Sequence, residues 1–369
     1  MIIMRQRTAR PSETGARKKF RRFRKEDAKP FREAKVEETE AVKEIRRLFN
    51  LGNYSARIDE ELGNIHYTAQ DVEKFSTIIP VIITFNDDNE LLEKIDDIEY
   101  FISLLVKHGK EKEYVIHSHS FGPQNDPQAT MGDIDPSGKT VTIKGDVYFA
   151  GTSMESGLLI IEGNADNVGD SLKGGKIIVK GSAGIVGNCM EGGEIIVEND
   201  ARTVGYEMKG GKIKVHGNVL HSAGSHGMKG GLIEINGNSV FIGFDPLHPE
   251  PAHFAGGKII VNGSCHRVTS NGGELIVNGS VTRILTSRGS IRVECNGPEK
   301  PLLLDEELQG EEIQPGKVSS VGYPFMGEIH VNGGIGEFDD LSPFKPEFKG
   351  RVFQKGKLVV DRGKLIVDK

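Results

Sequence analysis

Tryptophan is absent from this 369-residue chain, aromatic residues make up only 7% of it, and cysteine occurs three times. Cys189, Cys265 and Cys295 form no Cys-x-x-Cys pair, which excludes the usual iron–sulfur and zinc spacings and leaves them as buried or surface thiols. No apolar run approaches the roughly 18 residues of a membrane span. The start, Met1-Ile2-Ile3-Met4-Arg5-Gln6-Arg7, lacks the hydrophobic region of a signal peptide, so the expectation is a soluble, cytoplasmic protein.

What the chain has in abundance is glycine, 47 residues of it, arranged with a period. Doublets stand at Gly174-Gly175, Gly192-Gly193, Gly210-Gly211, Gly230-Gly231, Gly256-Gly257 and Gly272-Gly273. Each leads into a β-branched run of the type Ile177-x-Val179, and weaker copies begin at Gly138, Gly157 and Gly289. A repeat this short signals a solenoid, and alternation with period 2 signals a short strand with two inward apolar side chains. Parallel strands joined by tight turns without crossover helices mean a β-helix. The expected fold is mainly β: a right-handed parallel β-helix of about nine coils over residues 138–296, with a small N-terminal α/β domain and a C-terminal β extension.

Further columns support stacking. Gly145, Gly163, Gly181, Gly217, Gly237, Gly263 and Gly279 share one position, with Asn199 as the exception, and read as a left-handed structural turn. The next position holds Asp146, Asn164, Ser182, Asp200, Asn218, Asn238, Ser264 and Ser280, side chains expected to bond their own turn. Leu172, Met190 and Met208 are expected to fill an inner corner. The orders Lys176, Glu194, Lys212 and Glu162, Lys180, Glu198 alternate in sign, as an in-register parallel ladder favours.

Outside the repeats, residues 1–48 read as a basic, disordered arm followed by an amphipathic helix over 26–48, with Val42, Ile45, Leu48 and Phe49 on one face. The first 25 residues hold ten Lys or Arg against one acid, so nucleic acid, an acidic protein or a membrane surface is a candidate ligand for them. Residues 50–134 read as a small α/β capping domain, with strands at Ile78–Ile83 and Tyr114–His117 and a helix over Glu90–Lys107. Residues 297–369 return to the pattern in pieces and read as a C-terminal cap or arm.

The unit Gly-Gly-x-Ile-x-Val-x-Gly-(Asn/Ser)-Ala followed by Val-Gly and Met, clearest over Gly157–Gly231, resembles a glycine-repeat domain found in two enzyme families. One is glutamate synthase, in the C-terminal part of its large polypeptide; the other is formylmethanofuran dehydrogenase, in which a separate repeat subunit has this form. The resemblance covers residues 138–296. It implies a right-handed β-helix acting as a scaffold, with the chemistry in other domains or subunits. A complete synthase would carry an N-terminal cysteine nucleophile, a flavin-binding barrel and a cysteine cluster; the chain begins Met1-Ile2 and has neither the room nor the ligands, so a complete synthase is not expected.

Catalytic, cofactor and metal sites are not expected from the residue pattern. The histidines of His117-x-His119, of His216, His221 and His226, and of His248, His253 and His266 lack a completing carboxylate or cysteine at metal-site spacing. No helix follows the glycine turns, so they do not read as phosphate cradles. The outward strand position, by contrast, holds Thr142, Ile160, Ile178, Ile196, Lys214, Glu234, Ile260, Ile276 and Arg292 in successive coils. Ile160, Ile178 and Ile196, with Leu158 beside them, form an apolar stripe that reads as a docking interface. The expectation is a non-catalytic scaffold within an oxidoreductase complex, holding catalytic protein subunits; the alternative is an assembly module unrelated to redox, binding nucleic acid or an acidic partner through its arm.

Overall fold

The computed structural model describes residues 38–51, 56–82, 88–119, 130–243, 254–286, 290–293, 317–321, 328–332, 334–337, 357–360 and 363–368, with side chains over 38–51, 58–80, 94–119, 130–243 and 254–282. The basic arm, residues 26–37 of the expected helix, the insertion 244–253 with His248 and His253, and Cys295 lie outside the described residues.

The chain runs through α1 (Glu40–Asn50), α2 (Ala56–Asn64), α3 (Ala69–Ile82), α4 (Asp88–His108) and β1 (Glu113–His117) before the repeats begin. Thr39 caps α1 by accepting the Val42 N–H at 3.1 Å, so the helix starts at Glu40 and buries Val42, Ile45 and Leu48. The strand expected at Ile78–Ile83 is a correction: Ile78, Ile79 and Pro80 belong to α3. Val72, Phe75 and Ile79 are fully buried at helical spacing, and that packing overrides the β preference of a short isoleucine run. Pro80 has no N–H to give the Ser76 carbonyl, and His119 supplies the missing donor through Nε2 at 2.9 Å.

The repeats alternate between two sheets. One takes β2 (Thr140–Lys144), the other β3 (Val147–Ala150); then follow β4 (Leu158–Ile161), β5 (Ala165–Val168), β6 (Lys176–Val179), β7 (Ala183–Val186), β8 (Glu194–Val197), β9 (Ala201–Val204), β10 (Lys212–Val215), β11 (Val219–Ala223), β12 (Leu232–Ile235), β13 (Ser239–Ile242), β14 (Lys258–Val261), β15 (Cys265–Thr269), β16 (Glu274–Val277), β17 (Val281–Thr286) and β18 (Ser290–Val293). The pattern continues through β19 (Lys317–Val321), β20 (Glu328–Asn332) and β21 (Gly334–Glu337), then β22 (Lys357–Val360) and β23 (Gly363–Asp368). Even-numbered strands from β2 to β20 pair parallel in a 13-stranded sheet that begins at β1 and ends at β23 and β22, while β3 to β21 form a 10-stranded sheet. Among the described residues only the β22–β23 pair is antiparallel. This is a parallel β-solenoid of about seven turns. The described N-terminal region is helical apart from β1, and β1 joins the solenoid sheet, residue for residue from Glu113 opposite Thr140 to His117 opposite Lys144.

Each coil buries a regular set: Ile177 and Val179, then Ala183 and Val186, then Met190, with equivalents in neighbouring coils at or near zero exposure. Full burial of one such aliphatic side chain contributes about 1.5–3 kcal/mol, and the core runs without interruption from the helices into the stack. Gly187, at φ +68°, leaves room for the Ile213 Cδ1, which lies 2.4 Å from where a β-carbon would sit.

Two expectations about the turns need correction. Of the column Gly145 to Gly279, only Gly145 has positive φ. The others are glycine because the coils approach too closely: a β-carbon on Gly181 would sit 2.5 Å from the Gly163 carbonyl oxygen. The exception shows the same cost, since the Asn199 N–H reaches the Gly181 carbonyl at 3.3 Å whereas Gly181 reaches Gly163 at 2.9 Å. The polar column, in turn, bonds the next coil rather than its own turn. Asp146 accepts the Asn164 N–H at 2.7 Å, Asn164 the Ser182 N–H at 2.9 Å, Asp200 the Asn218 N–H at 2.7 Å, Asn218 the Asn238 N–H at 2.9 Å and Asn238 the Ser264 N–H at 2.8 Å.

Candidate functional site

The outward face of the 13-stranded sheet carries the expected stripe. Register places Thr142, Ile160, Ile178, Ile196, Lys214, Glu234, Ile260 and Ile276 in one row. Ile160, Ile178 and Ile196 are half-buried, each covered on two sides by its ladder neighbours. Leu158 stands one column away, opposite Thr140 and Lys176, so it widens the apolar area instead of lengthening the row.

Charged side chains frame the row on both flanks. On one flank Lys176 meets Glu194 at 2.7 Å and Lys258 meets Glu274 at 3.0 Å, on the other Lys180 pairs with Glu198, and Lys212 reaches in from the flank to Glu234 of the row itself at 3.1 Å. These charges are satisfied within the chain, which leaves the isoleucines as the apolar part of the face. At the corner between sheets, Lys173 and Lys209 extend the same pairing to Glu155 at 3.0 Å and Glu191 at 2.8 Å.

The histidines are placed individually. His117 Nε2 lies 3.1 Å from Glu73 Oε1, so with His119 it ties β1 to α3. His226 stacks on Tyr206 at 4.2 Å, His221 packs edge-on to Phe241 at 5.9 Å, and His266 is buried beside the same ring at 6.1 Å. Among the described residues no three His, Cys, Asp or Glu side chains gather closely enough to share a metal ion. Burial pushes the Cys265 thiol up, and burial with Glu207 nearby does the same to Cys189.

Sequence reasoning missed a cleft of about 730 Å³ between α4 and the first coils, lined by Asp96, Glu99, Tyr100, Lys107, Asp133 and Asp135 among others. Glu99 is 9% exposed, and its Oε1 accepts the N–H groups of Gly132 at 2.6 Å and Asp133 at 2.9 Å. Burial pushes its carboxyl up to about 7, reinforced by Asp133 and Asp96 and opposed by the two backbone bonds. Asp96 is raised too, by burial and then by Asp133. On the floor of the helix layer, Lys139 Nζ donates to the carbonyls of Val106, Lys107 and Gly109, capping the C-terminal end of α4. A polar residue inside an amphipathic helix, as Glu99 is in α4, was the available signal; its partners lie more than thirty residues on.

No helix among the described residues is long and apolar enough to cross a membrane. Compared with protein-family models, with curated proteins and with solved structures, the chain matches none.

Proposed function

We propose that the chain is a non-catalytic scaffold, and that the row Ile160, Ile178 and Ile196, widened by Leu158, docks protein partners. The observation that carries this reading is the row itself: three branched apolar side chains in strict register on a hydrogen-bonded wall, framed by ion pairs that are already closed. A rigid wall loses little freedom on binding, so burial of the row contributes to affinity with a small ordering penalty. The finer geometry belongs with the reading: a right-handed helix of nine coils over 138–296. By its resemblance to the glycine-repeat domain, the docked partners are the catalytic components of a glutamate-synthase-like or formylmethanofuran-dehydrogenase-like oxidoreductase.

Purification of the native protein at low ionic strength tests the partner class. A flavin, iron–sulfur or amidotransferase protein held in constant ratio supports it, and a chain that elutes without any such partner overturns it. The ten basic residues in the first 25 favour one second reading, an assembly module that holds nucleic acid or an acidic partner through residues 1–25. Steeply salt-dependent retention on nucleic acid by the full chain, lost on deletion of that arm, selects it.

A further inference from the structure

The second, 10-stranded sheet presents a different face. Of the five large apolar side chains that stand exposed among the described residues, three are here: Phe149 at 43%, Ile185 at 40% and Leu220 at 36%. They lie on β3, β7 and β11, so they span the first five coils of this sheet, with β7 at the middle.

The charges on this face are arranged unlike those on the other. Asp166 on β5 and Arg202 on β9 occupy the same column, one coil to either side of Gly184 on β7. Both are exposed. Two ladder steps separate their backbones by about 10 Å, and across the intervening coil the two side chains do not close on each other. Among the described residues Arg202 has no ion-pair partner, and the bond Asp166 makes is with the Asn167 side-chain amide at 3.2 Å. On the 13-stranded sheet, opposite charges sit in adjacent coils and close on each other; here they are held apart around a residue with no side chain. The Asp166 Oδ1 leans into the space beside Gly184, 2.4 Å from where a β-carbon there would be, so the middle coil presents little more than Ile185.

This pattern is self-complementary under one operation. A two-fold axis parallel to the strands and passing over Gly184 and Ile185 turns the face onto a second copy whose coils stack in the opposite direction. Coil for coil, the strand before the axis then meets the strand after it. Asp166 of each copy faces Arg202 of the other, giving two equivalent ion pairs. Ile185 meets its own counterpart on the axis, where Gly184 permits close approach. The end of the face that bears Phe149 meets the end that bears Leu220. An axis shifted by one coil in either direction loses these charge matches. Isologous contacts of this kind are the commonest route to soluble dimers.

We propose that the outer face of β3 to β11 is a dimer interface with a second copy of this chain, locked by reciprocal Asp166–Arg202 pairs about a dyad at Ile185. It lies on a different sheet from the isoleucine row, so a scaffold assembled this way keeps both of its row surfaces open.

Sedimentation velocity on the full chain, from about 1 to about 100 µM at low ionic strength, tests it. The wild type is expected to pass from monomer to dimer across the series. Arg202→Asp and Asp166→Arg each oppose like charges and are expected to weaken the dimer by about tenfold or more. The double variant Asp166→Arg/Arg202→Asp restores opposite signs and is expected to return to within about threefold of the wild type. Ile185→Arg places two cations on the dyad and is expected to leave monomer only. Unchanged urea midpoints establish that each variant is folded, which is expected because these side chains point away from the core. A wild type that stays monomeric throughout, single variants that dimerise as tightly as the wild type, or a double variant no better than the singles would each overturn the proposal.

Discussion

The terminal methyl of Met190 lies under Gly211, 2.5 Å from the point where a β-carbon on that glycine would sit. The same glycine has φ +83° and stands 2.8 Å, by the same measure, from the Gly192 backbone of the coil before it. The second glycine of the doublet is therefore required twice, by its left-handed backbone and by the methionine that fills the corner from the preceding coil. Gly211→Ala is expected to destabilise the stack by about 2 kcal/mol or more, read as a lower urea midpoint at constant slope. A cost below about 0.5 kcal/mol would show that the corner relaxes.

Asn218 tests the inter-coil ladder. It accepts the Asn238 N–H at 2.9 Å and donates its amide to Asp200 at 3.0 Å. Asn218→Ala leaves a half-buried N–H without its partner and is expected to cost about 1–2 kcal/mol. Asn218→Ser should recover part of that, since Ser264 performs the same service for the Ser280 N–H at 3.0 Å. Equal losses for the two variants would mean that the contact is incidental.

Glu99 sets a pH dependence. Its carboxyl is raised from an ordinary 4.5 to about 7 in the folded chain, so the folded state holds the proton more tightly than the unfolded state. The stability this group contributes is complete below about pH 4.5 and is lost as pH rises through 7, by on the order of 3 kcal/mol in all. Glu99→Gln keeps an oxygen for the Gly132 and Asp133 N–H groups and removes the titration. Its midpoint should lack that fall, and the difference between wild type and variant measures the effect of Glu99 apart from other titrating groups such as Asp96. A wild-type profile that rises between pH 5 and 7 relative to Glu99→Gln would reverse the assignment.

The flanking ion pairs stabilise little. Lys176 and Glu194 are each more than a third exposed or close to it, and pairs of that kind contribute up to about 1 kcal/mol. Lys176→Ala should therefore shift the midpoint by less than about 1 kcal/mol, and high salt should do no more. A larger loss would move the source of rigidity from the buried aliphatics to the charges.

How much of this was legible depended on whether the signal was local. The strand Ile177-x-Val179 repeats in every coil, and the corner methionine and the alternating Lys and Glu recur in several, so each is visible more than once and the register follows from any of them. The left-handed corner at Ser153, Ser171, Cys189, Glu207 and His226 was invisible, because its φ of 51–54° is shared by residues with no chemistry in common. The glycine column misled in the opposite way: close approach and positive φ leave the same letter in the sequence. α3 was misread because six residues around Pro80 cannot display a helical period that Val72, Phe75 and Ile79 display together. The stripe at Ile160, Ile178 and Ile196 could be placed from the sequence, whereas the cleft at Glu99 could not, since its walls come from segments joined only by the fold.

The row is tested most directly by native mass spectrometry of the protein drawn from its own cell extract at low ionic strength, wild type beside Ile178→Asp/Ile196→Asp. The account predicts a partner protein bound in fixed ratio to the wild type and reduced by about tenfold or more in the variant, whose unfolding midpoint stays within about 1 kcal/mol of the wild type. A variant that keeps its full complement of partner, or a wild type that carries none, would contradict it.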